Sequence, residues 1–148
     1  NKALGTKEEK LKIFLTSADA GLSSLVNSEN STREENIDVS TLDKELKDLT
    51  RLDLIKIDVE GYEYEVLVGG NEIIAKFLPA VIFEFTSDVY EKAYIGKSAD
   101  ILKYFIRLNY KLKTEIDGKV VIISEENIEK FTRTESQKKS ILNILAFQ

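Results

Sequence analysis

Apolar and polar positions alternate with two different periods along the chain, and the switches between them predict its elements. Lys10-Leu11-Lys12-Ile13-Phe14-Leu15 begins with period two and predicts a strand. Residues 16–36 are rich in Ser, Asn, Glu and Thr and predict a long loop, followed by a short strand at Ile37-Asp38-Val39. Thr41 is placed to cap a short helix whose apolar face is Leu42, Leu46 and Leu49. Leu52 to Asp58 is dense in Leu and Ile, the pattern of a strand buried on both faces. Gly61 breaks it, and a helix is expected over about 63–76 with Val66, Leu67, Ile73 and Ile74 inward. Pro79 separates that helix from a second buried-type strand, Ala80 to Phe85.

Ser98 is expected to cap a helix carrying Ile101, Leu102, Phe105, Ile106 and Leu108 and ending near Asn109. Asp117-Gly118, between Tyr110–Ile116 and Lys119–Ser124, is a strong hairpin signal. A polar helix or loop over 125–139 and a closing strand at Ile141–Phe147 complete the pattern. This order implies an α/β fold with a mostly parallel sheet, right-handed crossovers and an antiparallel C-terminal hairpin or edge. The strands at 53–58 and 81–85 are expected to be parallel neighbours. Without an internal repeat or linker, residues 1–148 read as a single domain.

Composition narrows the chemistry. The chain has 148 residues, 43% of them hydrophobic, enough for one core. There is no Cys, which excludes disulfides, zinc-thiolate sites and thiol nucleophiles, and no His, the commonest general base and metal ligand. The net charge is −5. No Lys/Arg cluster offers a footprint for nucleic acid. The apolar runs are too short to span a membrane, and the first residues lack a signal peptide's apolar core. These features predict a soluble cytoplasmic protein with no nucleic-acid or membrane partner. The chain has no Met and begins with Asn, and so is expected to be a piece of a longer protein.

In an open α/β sheet, ligands bind beyond the carboxyl ends of the strands. Two strands end in carboxylates here, at Asp58-Val59-Glu60-Gly61 and at Glu84-Phe85-Thr86. If the first strand persists, Asp58 and Glu60 face the same side; the bland alternative has Asp58 capping the helix and Glu60 solvated. Without His or a further acidic cluster, no metal site is expected. Thr16, Ser23 and Ser24 border the long loop and are candidates to line a pocket. Tyr62 and Tyr64 cannot share a helix face, so one packs while the other faces the cleft. Gly69-Gly70 lies inside the expected helix, where close packing or a local break explains it better than a phosphate loop does.

Leu52 to Gly70 resembles the signature of the FkbM-type methyltransferases. Asn1–Gly5 is similar to the end of that family's third strand, Gly21–Leu25 to its small-residue loop, and Val39–Asp43 to the segment before its fourth strand. Ala80–Phe85 and Asn143–Ala146 are similar to its fifth and last strands. The resemblance implies a Rossmann-like class I methyltransferase sheet, with strand order 3-2-1-4-5-7-6, of which this chain is the C-terminal part. It implies an S-adenosylmethionine-dependent enzyme that O-methylates a sugar or small metabolite. Asp58 is then the base, Glu60 orients substrate, and Glu84 is a pocket wall or second acid. Ser23, Ser24 and Tyr62 are substrate-binding, and Ala3 lies at the margin of the cofactor. The family's glycine-rich first turn and the acidic end of its second strand are not in these 148 residues. The alternative is a non-catalytic methyltransferase-like module that binds a partner or carbohydrate. The strand order also implies an open edge at 53–58, through which the chain is expected to self-associate.

Overall fold

The computed structural model describes residues 2–16, 31–59, 61–86 and 98–148. They gather into two compact units, Asn1–Thr50 with Val59–Lys76, and Arg51–Asp58 with Phe77–Gln148.

The first unit contains a three-stranded sheet of order β1-β3-β2: β1 (Ala3–Leu4), β2 (Glu9–Thr16) and β3 (Ser31–Ser40). β3 runs parallel to β1 and antiparallel to β2. The long loop expected over 16–36 is therefore corrected: Ser31 to Asn36 is strand. Its residues are too polar to announce a strand, but they are held in the antiparallel ladder, with Lys10–Asp38 and Lys12–Glu34 ion pairs across it.

The helix α1 (Leu42–Glu45) begins as expected, with the Thr41 hydroxyl accepting from Lys44 N–H. It is shorter than the Leu42/Leu46/Leu49 spacing implies, since Leu46 already lies at its C-cap. The single helix expected over 63–76 is two: α2 (Glu63–Val68) and α3 (Asn71–Phe77). The break at Gly69-Gly70 has a visible cause. The Asp43 carboxylate accepts from the N–H groups of Glu72 (3.2 Å) and Ile73 (2.8 Å), capping α3 as a fresh helix start. The Asp43 N–H in turn donates to the Gly69 carbonyl. Val39, Leu42, Val66, Leu67, Ile73 and Ile74 are buried apolar residues of this unit among those described.

Among the described residues, the second unit is a five-stranded sheet with two helices. Its order is β4-β5-β8-β6-β7, with β4 (Leu54–Ile57), β5 (Ala80–Thr86), β6 (Lys111–Ile116), β7 (Lys119–Ile123) and β8 (Ile141–Phe147). β4 and β5 are parallel neighbours, as expected. The other pairings are antiparallel, because β8 inserts between β5 and β6 against the direction of both. The sheet is therefore mixed rather than mostly parallel. Asp117 and Gly118 close the β6–β7 hairpin with φ of 51° and 73°, the left-handed pair that a two-residue turn requires.

The helices α4 (Ser98–Arg107) and α5 (Ile128–Lys138) cover one face of this sheet. Phe83 of β5 stacks on Phe105 of α4 with ring centroids 5.2 Å apart, and Phe85 meets Phe131 of α5 at 6.0 Å. The Tyr110 hydroxyl donates to the Pro79 carbonyl at 2.8 Å and ties the end of α4 to the start of β5. Ile57, Val81, Phe83, Phe85, Ile144 and Ala146 supply the sheet side of this core. The expectation that 52–58 is buried on both faces does not hold. Only Ile57 is fully buried and Leu54 is 55% exposed, because β4 packs one face on the core; among the described residues it bonds only to β5.

Candidate active site at the carboxyl ends of β4 and β5

β4 and β5 run in register up to Ile57 opposite Phe83, so the next residues, Asp58 and Glu84, stand at one level on neighbouring strands. Ile57 and Phe83 point into the core, which sends Asp58 and Glu84 to the opposite face. Lys56, two residues before Asp58, is on that same face and forms an ion pair with it at 2.5 Å. The Asp58 side chain is 44% exposed, so a solute reaches it without displacing core atoms. Glu84 is half-buried and accepts a long hydrogen bond, 3.4 Å, from the Thr86 hydroxyl. The two carboxylates singled out in the sequence are thus adjacent in the sheet.

The residues after Asp58 make a tight turn whose organiser is Glu63. This side chain is 1% exposed, and its Oε1 accepts from the N–H groups of Val59 (3.1 Å) and Gly61 (3.4 Å). Gly61 has φ of 95°, a conformation that suits glycine and strains any residue with a Cβ. The amides of Val59 and Gly61 are thus held by a buried carboxylate at the first position of α2. Tyr62 is half-buried. Burial first, and then the charges of Glu65 and Glu9, hold its hydroxyl above the usual tyrosine pKa, which makes it a hydrogen-bond donor rather than a base. Its ring lies against Gly5, where a Cβ would come within 3.4 Å of Tyr62 Cε1.

Of the other residues named from the sequence, Ala3 is a half-buried member of β1, paired with Val39. Glu60, Ser23 and Ser24 lie outside the described residues. Tyr64 is half-buried on α2. Among the described residues, no group of three or more acidic side chains is gathered to hold a metal ion. No described helix is long and apolar enough to cross a membrane.

Two residues were missed in the sequence. Glu63 is one, and its signal is that a carboxylate two residues after a turn glycine is placed to collect the nearby amides. Asn143 is the other. It lies directly opposite Glu84 in the antiparallel β5–β8 pair and is exposed. Its signal is that it is the single polar residue of the β8 strand Ile-Leu-Asn-Ile-Leu-Ala-Phe.

The chain is mixed α/β, with carboxylates at the ends of two adjacent parallel strands. The Methyltransferase FkbM domain model matches residues 3–112, which is most of the chain. The chain belongs to this methyltransferase family. No curated protein and no solved structure matches it.

Proposed function

We propose that this chain is the acceptor-binding, C-terminal part of an S-adenosylmethionine-dependent O-methyltransferase acting on a hydroxyl of a sugar or small metabolite. The single observation that carries this reading is the placement of Asp58, an accessible carboxylate at the end of β4, level with Glu84 on the parallel neighbour. The strand order β4-β5-β8-β6, with β8 reversed, supports a Rossmann-like class I sheet, since it matches the 4-5-7-6 portion that the family resemblance implies.

The described residues do not by themselves form a cradle for the methyl donor. Gly5 and Gly70 have no open space at their Cβ positions, where Val39 and Leu42 atoms stand at 2.9 and 2.5 Å, and Gly69 is closed by the Gly5 carbonyl. These glycines pack protein against protein. Ala3, in β1, is the residue assigned to the cofactor's margin.

On the acceptor side, Asp58 accepts the proton of the reacting hydroxyl. A carboxylate serves in this role when proton transfer is late in the displacement, and Lys56 pairs with Asp58 at 2.5 Å. Glu84 forms the pocket wall beside it, and Glu60 is assigned to orienting substrate. The main contribution to rate is positioning, as for any in-line displacement between two bound reactants.

The test is Asp58→Asn in the longer protein, with methyl transfer from S-adenosylmethionine as readout. Turnover is expected to fall about 10²-fold or more, the scale of a lost general base. Turnover within about twofold of wild type would overturn the role given to Asp58. Calorimetric titration with S-adenosylhomocysteine tests the cofactor assignment separately. Binding by the longer protein is expected, with weak or no binding by residues 1–148 alone.

A further inference from the structure

The outer edge of β7 carries a side chain where a further strand would bond. The two-residue turn at Asp117-Gly118 makes Ile116 and Lys119 a doubly bonded pair. The alternation of an antiparallel ladder then turns the N–H and C=O groups of Val120, Ile122 and Ser124 away from β6. Among the described residues β7 bonds to no other strand. Two of these outward groups are nevertheless taken. The Asn127 side chain donates through Nδ2 to the Ile122 carbonyl at 2.9 Å, and its Oδ1 accepts from the Ser124 N–H at 2.9 Å. A group that donates to the residue before Ile123 and accepts from the residue after it reproduces the bonds of a parallel neighbour's backbone. Asn127 stands at the N-cap of α5, where asparagine is favoured because its oxygen caps the helix, yet it makes no such bond. Its side chain serves the strand instead.

β7 lacks the usual protections of an edge. Lys-Val-Val-Ile-Ile has no proline, no bulge against β6 and no charge after its first residue. Ile123 is buried on the side of the helices, which sends Val120 and Ile122 to the opposite face, where they are 66% and 57% exposed.

We propose that Asn127 plugs a self-complementary edge: with it in place β7 stays unpaired on that side, and without it a second copy of this chain adds there, β7 against β7 and antiparallel. The register carries this. Two copies with their faces matched set Val120 of each opposite Ile122 of the other. Both pairs exchange hydrogen bonds in each direction, and the exposed side chains cover one another while Val121 meets Val121 on the other face. Lys119 falls opposite Ile123, so no like charges meet. These matched apolar pairs favour a second copy over an unrelated extended peptide. Each pair needs the Ile122 carbonyl, which Asn127 holds. With the plug, only Val120 keeps both outward groups, and the one complete pair left is Val120 against Val120.

The test takes Leu54→Lys as the parent, so that pairing through the free edge of β4 is removed, and follows sedimentation equilibrium over a concentration series. Adding Asn127→Ala is expected to tighten self-association about tenfold or more. Adding Val120→Lys to that variant is expected to return association to the parent's level. Both variants lose the turn contacts of Asn127, so the comparison separates edge pairing from loss of that turn. Amide exchange checks the plug in the wild-type chain, where Ser124 is expected to show about tenfold greater protection than Val120 and Ile122. Equal association of the parent and Asn127→Ala, whether or not the edge takes up another peptide, would overturn the inference. So would association that Val120→Lys leaves unchanged, or a wild-type Ser124 amide no better protected than Ile122.

Discussion

Gly69 passes the carbonyl oxygen of Gly5 so closely that a Cβ built on it would overlap that oxygen. The end of α2 is thereby seated directly on the residue that follows β1, backbone against backbone. Gly69 itself sits in the right-handed helical region, so the demand for glycine is one of space and not of backbone conformation. Replacing Gly69 by Ala gains up to about 1 kcal/mol in helix propensity. It also forces α2 away from β1, an overpacking cost of about 1–3 kcal/mol or more. Gly69→Ala is therefore expected to destabilise the chain in chemical denaturation; a variant as stable as wild type would show that the two backbones part at no cost.

The second expected effect concerns Tyr110. Its hydroxyl donates to Pro79 and is 5% exposed as a residue, and burial pushes its pKa up to about 12. A tyrosine in the unfolded chain ionises near 10. Because the folded-state value is the higher one, the contribution of Tyr110 is fully present below about pH 10 and is lost as pH rises towards 12. Two pKa units correspond to about 2.7 kcal/mol as an upper scale. Denaturant unfolding at pH 9 and pH 11 is expected to show a larger loss of stability for wild type than for Tyr110→Phe. The variant itself, leaving the Pro79 carbonyl unsatisfied, is expected to be about 1–3 kcal/mol less stable at pH 7.

Glu63 supports a third expectation. Its buried carboxylate satisfies two turn amides, and Glu63→Ala leaves both without that acceptor. One buried donor, Gly61, and one part-buried donor, Val59, stripped of their partner cost about 1–3 kcal/mol. Glu63→Gln keeps an oxygen in place and is expected to recover at least half of the loss. Hydrogen exchange at the Gly61 amide is the direct readout: faster exchange in Glu63→Ala, and near-native exchange in Glu63→Gln. Equal exchange in all three proteins would show that the turn holds its shape without the carboxylate.

Most strands were legible because burial on one face writes period-two or Leu/Ile-dense signals, as in Ala80–Phe85 and Ile141–Phe147, and because Asp117-Gly118 dictates its turn locally. The missed strand residues, Ser31 to Asn36, are held by cross-strand pairing, and apolar periodicity carries no trace of that. β4 was misread only in its burial. Its Leu and Ile density is real and its edge position follows from the strand order the resemblance implies, but whether a strand's second face is covered is decided by what packs on it. The split of the helix at Gly69-Gly70 depends on Asp43, a residue distant in the chain. The candidate site divides the same way: Asp58 and Glu84 could be named from their strand ends, whereas Asn143 matters only because β8 inserts beside β5.

The last expectation concerns the outer edge of β4. Among the described residues this strand bonds only to β5, so its other side offers free backbone groups to a second chain. Two copies meeting edge to edge as antiparallel strands keep the same faces aligned, so only registers that differ by two residues are available. Pairing centred on Ile55 sets Lys56 opposite Leu54 of the other chain, and the next register sets Lys56 against Lys56, which repels. Lys56 thus limits association that the Leu54-rich edge otherwise favours. The chain is expected to self-associate weakly at high concentration, Lys56→Val to tighten that association at least tenfold, and Leu54→Lys to abolish it. Sedimentation equilibrium across a concentration series checks all three, and wild type and Lys56→Val both remaining monomeric at the highest concentration would rule out the β4 edge as the contact.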